Sequence, residues 1–181
     1  STFVEPGTLA ETLCGKLRPG HFRGVATVVT KLMNLARADQ AFFGQKDAQQ
    51  VVVIRQVVRD LNLPVTVRMV PIVREENGLA RSSRNAYLSA GEREAALILS
   101  RSLQKAMDVC RAGETRTAAL KALVQAELAS EPLADVDYVD CYSFPELQPI
   151  REVEGAALLA IAVRIGKTRL IDNVILGVEA E

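Results

Sequence analysis

Two stretches in the first part of the chain repeat apolar residues at the spacing of an amphipathic helix. The first predicts a helix that ends near Asp39, and its apolar positions are Val25, Val28, Val29, Leu32, Leu35 and Ala36. The second predicts a helix that begins after Asp47 and turns Arg55, Gln56 and Arg59 outward, with apolar positions at Val51, Ile54, Val57, Val58 and Leu61. Between the two helices, the run Ala41–Phe43 predicts a short strand.

A second strand is predicted at Val65–Val73, which is rich in β-branched residues and directly follows Pro64. It follows Asn62-Leu63-Pro64, where the preceding helix has to end. A strand, a helix and a strand in this order imply a right-handed parallel βαβ unit.

The rest of the chain predicts two helices followed by three strands. Ser89 and Glu92 have the spacing of a capping box, which marks the start of the first helix. The predicted helices run from Ser89 to about Cys110 and from about Thr115 to Ala129, and the predicted strands are Asp135–Tyr142, Ala156–Ile165 and Thr168–Leu176. A short hairpin turn at Ile165–Thr168 joins the last two strands.

These patterns divide the chain into a βαβ-type first part, residues 1–73, and an α+β second part, residues 74–181. Two strands are too few to cover the broad apolar faces of the two helices in the first part. We therefore expect further strands, N-terminal to this sequence, to complete the sheet.

Composition places the chain among globular proteins with an aliphatic core, since 49% of its 181 residues are hydrophobic and only 4% are aromatic. No apolar run reaches the length of a membrane span and no leader pattern opens the chain, so we expect a cytoplasmic protein that binds no membrane. Cys14, Cys110 and Cys141 are odd in number and far apart, which indicates reduced thiols. The single histidine, His21, excludes a His-rich metal site within the chain.

Charge is balanced overall but unevenly distributed. Residues 1–85 carry 12 Lys/Arg against 7 Asp/Glu, whereas residues 86–181 carry 10 against 15. The basic excess lies around the loops of the first half, which favours an anionic ligand. It is too small and too interrupted for a nucleic-acid surface, so we expect no nucleic-acid partner.

The turn between the first strand and the following helix is the main candidate for chemistry. A strand, a tight turn and a helix present backbone N–H groups to an anion. Asp47 suits an N-cap and Gln50 lies three residues later, which predicts a capping-box variant. Lys46 is then either a ligand for a phosphate at the helix start or a solvated charge.

Three polar loops form a possible anion site: Arg18–Arg23, Gly44–Asp47 with Gln50, and Arg81–Arg84. If the two strands are parallel, the second and third loops follow carboxyl ends of strands, where α/β folds bind ligands. Serine hydroxyls donate hydrogen bonds and an arginine fork binds phosphate in a bidentate manner. The cationic and hydroxyl groups of these loops are therefore suited to binding a triphosphate, and Gln50 could bind a second, hydroxylated ligand.

Four motifs resemble the pantothenate synthetase (pantoate–β-alanine ligase) family. They are RPGHFRGV at Arg18–Val25, FGQKDAQQ at Phe43–Gln50, SSRNAYL at Ser82–Leu88 and GKTRLIDN at Gly166–Asn173. The resemblance extends over the whole chain. It implies the adenylate-forming nucleotidyltransferase superfamily, which is related to class I aminoacyl-tRNA synthetases. The implied fold is an incomplete Rossmann-like parallel sheet in an ATP- and pantoate-binding domain, followed by a small α+β lid domain with a helical hairpin and a three-stranded antiparallel sheet.

The reaction that the resemblance implies has two steps. The pantoate carboxylate attacks the α-phosphate of ATP, which gives pantoyl adenylate and pyrophosphate, and the amine of β-alanine then displaces AMP to give pantothenate. ATP brings Mg²⁺, and a homodimer is the expected assembly. Catalysis in such a reaction is mostly positioning and charge stabilisation.

The resemblance also assigns roles to individual residues. The ATP-binding set is Gly44, Gln45, Lys46, Asp47, Val73, Arg81, Ser82, Ser83 and Arg84, where Val73 ends the second strand and meets the adenine through its backbone. Gln50 is implied to bind pantoate, and Lys46, Arg84 and His21 are the catalytic candidates. Gln45 and Arg81 replace a glutamate and a Met or Leu of the family, so both are expected to act through the backbone. His21 is equally consistent with a structural role.

One family motif, His-x-Gly-His, has no match in a chain with one histidine. The chain therefore resembles the C-terminal two-thirds of the enzyme, and we expect it to be inactive alone. Two alternatives are a non-catalytic ATP-binding or dimerisation module of the same fold, and a different nucleotidyltransferase such as a cytidylyltransferase. The helical hairpin, the three strands and the GKTRLIDN tail argue against the second alternative.

Two charged segments are interpreted as structural. The acidic run Asp135–Asp140 alternates as on a strand with one solvated face, so we expect no metal there. Lys167 and Arg169 lie in or beside the predicted hairpin turn and are expected to be solvated.

Overall fold

The computed structural model describes residues 2–178. Contacts divide the chain into two compact units, Ser1–Pro71 (unit 1) and Ile72–Glu181 (unit 2). Within the described residues, no helix combines the length and the apolar character needed to cross a membrane.

Unit 1 contains a two-stranded parallel sheet, as predicted. Strands β1 (Gln40–Gly44) and β2 (Thr66–Val70) pair in register from Gln40 opposite Thr66 to Gly44 opposite Val70. Helix α3 (Ala48–Asp60) connects the two strands. The prediction that β2 extends to Val73 is wrong: β2 ends before Pro71, which has no N–H with which to continue the ladder.

Helices precede the sheet in unit 1. A 3₁₀ helix (Gly7–Glu11), α1 (Leu13–Leu17) and α2 (His21–Ala36) follow one another. Helix α2 begins before the predicted start at Val25, because Gly20 takes a left-handed φ of 77° and its carbonyl already accepts the Gly24 N–H at 3.1 Å. Arg37, also left-handed, ends α2 before the predicted end near Asp39.

The apolar face of α2 is only partly covered. Phe22, Ala26, Val53 and Val57 form a small buried cluster that joins α2 to α3. Along the rest of the helix, Val28, Leu32 and Leu35 are 52%, 58% and 79% exposed, as expected for an apolar helix on a sheet of two strands. In α3 the predicted apolar face is buried except for Val58, which is half-buried, and Leu61, which is exposed.

Unit 2 has the predicted helical hairpin and antiparallel sheet. A 3₁₀ helix (Ser83–Tyr87) is followed by helices α4 (Ala90–Ala95), α5 (Leu97–Arg111) and α6 (Thr117–Ala129) and strands β3 (Ala134–Ser143), β4 (Ala157–Ile165) and β5 (Thr168–Leu176). The strand order is β3-β4-β5. Helices α5 and α6 pack on each other and against β5 and β3.

The main hydrophobic core lies in unit 2. The central strand β4 is buried along almost its whole length, including Leu159 and Ile161 at 0% exposure. It meets buried residues of the hairpin such as Leu103 and Leu120. A fully buried Leu or Ile contributes about 1.5–3 kcal/mol of hydrophobic free energy, so this cluster dominates the stability of unit 2.

The start of the first helix in unit 2 is as predicted, but the helix is not continuous. Ser89 Oγ accepts the Glu92 N–H at 3.3 Å and Glu92 Oε2 accepts the Ser89 N–H at 2.8 Å, which confirms the capping box. A break at Ala96 then divides the predicted helix into α4 and α5. The side chains around Ala96 give no physical reason for the break.

The predicted turn between β4 and β5 is confirmed. Ile165 pairs with Thr168, and Gly166 between them has a left-handed φ of 57°. A Cβ at Gly166 would lie 1.9 Å from Glu92 Oε1, the end of a flexible side chain, so the left-handed conformation is the stronger reason for glycine there.

The expectation that Arg169 is solvated is wrong. A bulge in β3 between Val136 and Tyr138 interrupts the predicted alternation of the acidic run. Asp137 on this bulge accepts hydrogen bonds from Arg164 Nε at 3.2 Å and Arg169 Nε at 2.5 Å. The Arg169 side chain is 21% exposed and forms an ion pair with Asp137 across the central strand β4.

Candidate functional site

Lys46 lies at the carboxyl end of β1, in a short 3₁₀ turn (Gln45–Asp47) that leads directly into α3. Its side chain is 17% exposed, and Nζ lies 3.1 Å from Asp47 Oδ2. A half-buried ammonium at the end of a parallel strand, next to a helix N-terminus, is suited to binding an anionic group. Gly44 and Gln45 form the adjoining backbone of the turn.

The predicted capping box at the start of α3 is wrong. Asp47 occupies the N-cap position, but its side chain accepts no hydrogen bond from the backbone of α3. Its carboxylate contacts the Lys46 ammonium, and this ion pair takes the place of the capping bond. Gln50 lies half-buried on the first turn of α3.

Gln49 is a residue of this region that the sequence analysis missed. Its side chain is buried, with 6% exposure. Nε2 donates to the carbonyl oxygens of Leu9 at 3.0 Å and Thr12 at 2.7 Å, and Oε1 accepts the Cys14 N–H at 3.0 Å. Gln49 therefore fastens the N-terminal segment to the first turn of α3. Because adjacent helical residues point about 100° apart, Gln49 faces inward while Gln50 lies nearer the surface.

His21 is the first residue of α2 and lies within electrostatic range of Asp47. Its Nε2 is 3.3 Å from Arg18 Nη1, and its ring centroid is 4.9 Å from that of Phe22. Partial burial and the Arg18 cation lower the pKa of His21, while Asp47 acts in the opposite direction. The structure thus brings the Arg18–His21 loop near the Gly44–Asp47 turn inside unit 1.

Ser82, Ser83 and Arg81 line an open cavity of about 500 Å³ in unit 2, together with Glu75. Ser82 Oγ accepts the Arg84 N–H at 3.2 Å and so caps the 3₁₀ helix that begins at Ser83. The Arg84 side chain is exposed, and among residues 2–178 it makes no hydrogen bond or ion pair. Arg84 is therefore available to a ligand.

Val73 follows β2 at the start of unit 2, and its side chain is 63% exposed. Its carbonyl oxygen accepts the Arg81 N–H at 2.9 Å, and an isolated bridge between Arg74 and Ala80 lies beside this bond. The loop from Val73 to Arg81 thus closes on itself, which places the backbone of Val73 next to the serine-serine-arginine segment.

Charged residues outside the predicted set hold this loop. Arg74 forms a bidentate pair with Asp172, with Nη1–Oδ2 at 2.7 Å and Nη2–Oδ1 at 3.1 Å, and Asp172 is 2% exposed. A second group consists of Glu75, Asn85 and Arg93. Asn85 and Asp172 stand within quoted motifs, but contacts between residues this far apart in sequence have no periodic signal that the sequence analysis could detect.

The predicted site residues therefore form two groups. Unit 1 contains Gly44, Gln45, Lys46, Asp47, Gln50 and His21, and unit 2 contains Val73, Arg81, Ser82, Ser83 and Arg84. Each group combines cationic side chains with neutral hydrogen-bond donors, which is the chemistry that phosphate binding requires.

Comparisons with known proteins identify the relatives of this chain. Residues 1–175 match the family model described as pantoate-beta-alanine ligase. A pantothenate synthetase of Pelotomaculum thermopropionicum is 57% identical over 176 residues, which cover 97% of this chain and 62% of the relative. One of Heliobacterium modesticaldum is 55% identical over 98% of this chain and 63% of the relative.

Solved structures give the same result. The pantothenate synthetase of Thermus thermophilus superposes with a TM-score of 0.90 at 41% identity, over 96% of this chain and 63% of that chain. The pantoate-beta-alanine ligase of Francisella tularensis, complexed with Beta-gamma ATP and Beta-alanine, has a TM-score of 0.68 at 30% identity, over 97% of this chain and 58% of that chain.

The chain thus spans a little under two thirds of the length of these curated relatives, as the 62% and 63% coverages show. Its fold, a two-stranded parallel sheet followed by a helical hairpin and an antiparallel sheet, matches the superposed Thermus thermophilus structure. The match over residues 1–175 and the identities above 50% establish that the chain belongs to the pantoate-beta-alanine ligase family.

Proposed function

We propose that this chain provides ATP- and pantoate-binding residues to a ligase that condenses pantoate with β-alanine to pantothenate. The observation that carries the proposal is the half-buried Lys46 between a parallel strand and the N-terminus of α3. This placement suits a phosphate group. The nucleotide and β-alanine bound to the Francisella tularensis neighbour support the same substrates for this chain.

The proposed reaction proceeds in two steps through an acyl adenylate. A carboxylate oxygen of pantoate attacks the α-phosphorus of ATP, and the bond to the pyrophosphate leaving group breaks. The uncharged amine of β-alanine then attacks the acyl carbon, AMP departs with the bonding electron pair, and the nitrogen loses a proton. Negative charge moves between phosphate oxygens throughout, so cations fixed beside them lower the barrier.

Each unit has its own part in this proposal. In unit 1, Lys46 binds the phosphates with Gly44, Gln45 and Asp47 beside it, and Gln50 binds pantoate. In unit 2, Ser82, Ser83 and Arg84 bind the phosphates, Arg81 contributes its backbone, and Val73 meets the adenine through its backbone. His21 joins the unit 1 group through its proximity to Asp47. A neutral imidazole, favoured by its lowered pKa, suits hydrogen bonding to a phosphate rather than charge pairing.

Mg²⁺ is proposed to enter with ATP. Within the described part of the chain, no group of three or more His, Cys, Asp or Glu is arranged to hold a metal ion. Such a chain suits a metal that takes most of its ligands from phosphate oxygens and water, as Mg²⁺ usually does in nucleotide sites. The ion would neutralise charge on the phosphates.

Location and assembly are further parts of the proposal. We propose a cytoplasmic location because Cys110 and Cys141 are free thiols, and thiols stay reduced in that compartment. We propose a homodimer because the family resemblance implies one. The exposed apolar face of α2 separately supports self-association of this chain alone.

The family resemblance further suggests that a His-x-Gly-His segment is needed for turnover, so the 181 residues alone are proposed to be inactive. The test joins this chain to the part of the Pelotomaculum thermopropionicum relative that it does not cover, which gives a protein we call the joined protein. AMP and pantothenate release are measured for the joined protein and for the chain alone with pantoate, β-alanine and Mg-ATP. Turnover by the joined protein alone supports the ligase, while no turnover by either supports a non-catalytic ATP-binding or dimerisation module.

The role of Lys46 is tested in the same assay with a matched pair of variants. Lys46→Met removes the proposed phosphate ligand, and Lys31→Met removes an exposed lysine of α2 in the same unit. Loss of one preorganised charge contact to the reacting groups costs about 100-fold in turnover. We expect that loss for Lys46→Met and none for Lys31→Met. Equal rates for the two variants would contradict the assignment of Lys46.

A further inference from the structure

We propose that Glu75, Asn85 and Arg93 are positioning residues that hold Ser83 and Arg84 in place for the nucleotide phosphates. The inference rests on the proposed function and adds three residues to it. None of the three has to touch a substrate. They act by fixing the backbone of the segment Arg81–Arg84.

Asn85 is the centre of this network. Its side chain is buried, with 3% exposure, and Nδ2 donates to Glu75 Oε1 at 2.9 Å and to the Ala80 carbonyl at 3.1 Å. Ala80 immediately precedes Arg81, and Asn85 immediately follows Arg84. One side chain therefore ties both ends of the segment Arg81–Arg84 together.

The main chain of Asn85 strengthens the same closure. Its N–H donates to the Ser82 carbonyl at 3.1 Å. Its carbonyl accepts the Leu88 N–H at 3.2 Å and Arg93 Nη2 at 3.0 Å. The backbone on either side of Ser83 and Arg84 is thus fixed by bonds that do not use the side chains of those two residues.

Arg93 connects the segment to helix α4. Its Nη1 donates to Glu75 Oε2 at 2.7 Å, while Nη2 bonds the Asn85 carbonyl, so one planar fork holds both partners. Asn85 and Arg93 together lower the pKa of Glu75, with the Asn85 hydrogen bond as the larger cause. Glu75 therefore stays ionised at neutral pH and keeps both contacts.

The exposed side chains and the buried network have separate tasks. Ser83 is exposed and lines the open cavity with Glu75, Arg81 and Ser82. Arg84, the next residue, is also exposed. Their side chains make few internal contacts, so the network beneath them is what limits their motion. Fixing charged donors before a ligand binds reduces the entropy that binding costs.

The test is a double-mutant cycle on the 181-residue chain, read out by calorimetric titration with Mg-ATP and no pantoate. Arg93→Met is made in the unchanged chain and in a Ser83→Ala/Arg84→Ala background. In the unchanged chain, Arg93→Met removes the charge-assisted bonds to Glu75 and to the Asn85 carbonyl, which orient Ser83 and Arg84. Mg-ATP binding should therefore weaken about tenfold. In the background that lacks those ligands, the same change should weaken binding by less than about twofold.

Three further variants separate positioning from general stability. Arg93→Lys retains the charge beside Glu75 but not the two-pronged fork, so its binding should lie between those of the unchanged chain and Arg93→Met. Lys105→Met removes an ion pair with Glu127 between α5 and α6 in the same unit and should leave Mg-ATP binding unchanged. If Arg93→Met does not fold, Glu75→Gln serves in the same cycle, since it replaces one acceptor oxygen by a donor at constant size.

The outcomes separate the two levels of the proposal. Equal weakening by Arg93→Met in both backgrounds would show that Arg93 acts independently of Ser83 and Arg84, and would overturn the inference alone. No binding of Mg-ATP by the unchanged chain would overturn the proposed nucleotide site and the inference with it.

Discussion

Units 1 and 2 differ in how completely each covers its own apolar surface. Unit 2 surrounds the central strand β4, in which Leu159 and Ile161 are fully buried, with a helical hairpin and two further strands. Unit 1 has a sheet of two strands, and Leu32 and Leu35 of α2 are 58% and 79% exposed. The phosphate-binding candidates of unit 2 therefore stand on a closed scaffold, whereas Lys46 of unit 1 stands on an open one.

The largest effect on stability is expected in the core of unit 2. Leu159→Ala, at a position of 0% exposure, should lower the free energy of unfolding by about 2–5 kcal/mol because it removes transfer energy and leaves a cavity. Leu133→Ala, at 48% exposure in the same unit, is the matched control and should change it by less than about 0.5 kcal/mol. Urea denaturation followed by circular dichroism measures both. Similar costs for the two variants would mean that the core is not where the structure places it.

A smaller effect is expected at Gln49 in unit 1. Gln49→Leu leaves the Cys14 N–H and the carbonyls of Leu9 and Thr12 without this partner, which should cost about 1–3 kcal/mol. Faster amide exchange at Cys14 is the specific readout. Gln56→Leu, which removes only an exposed contact with Asp60, is the control. Unchanged exchange at Cys14 in Gln49→Leu would contradict the anchoring role of Gln49.

The open face of α2 should tolerate polar substitution. Leu32→Ser and Leu35→Ser are expected to change the free energy of unfolding by less than about 0.5 kcal/mol, since both side chains already contact solvent. Sedimentation of the same variants should show less self-association than the unchanged chain. A loss of stability above about 1 kcal/mol, measured at a concentration where the chain is monomeric, would show that the chain itself covers this face and would remove the contrast between the units.

The smallest effect concerns the ion pair between Glu114 and Arg116 in unit 2. Hydrogen bonds from Arg116 lower the pKa of Glu114 from its ordinary value of 4.5 to about 2. The ionised Glu114 therefore stabilises the fold fully at pH values above about 4.5. That contribution should disappear as the pH falls from about 4.5 to about 2. Both Glu114→Gln and Arg116→Met should flatten the pH dependence of the urea midpoint in this window. A slope identical to that of the unchanged chain would contradict the pairing.

Local patterns explain what the sequence predicted well. Strand β5 has the predicted bounds because its apolar residues lie close together in the sequence and the Gly166 turn marks its start. The strand, turn and helix around Lys46 could also be predicted from the sequence, because one continuous stretch of chain forms all three.

Interactions between distant segments explain what the sequence did not predict. The prediction of a capping bond from Asp47 was wrong because the Lys46 ammonium contacts the same carboxylate. The bond from Arg93 to Glu75 joins a helix to a loop, and no periodicity marks either residue. Arg169 was predicted to be solvated because it lies beside the hairpin turn. The sequence does not reveal the bulge in β3, where Asp137 accepts its hydrogen bond.

The most direct test of the central claim is isotope exchange between pyrophosphate and ATP. The joined protein is incubated with ATP, Mg²⁺, labelled pyrophosphate and pantoate, without β-alanine. The account predicts that label enters ATP only when pantoate is present, because the reversible first step forms pantoyl adenylate. Absence of exchange in a preparation that makes pantothenate once β-alanine is added would contradict the adenylate mechanism.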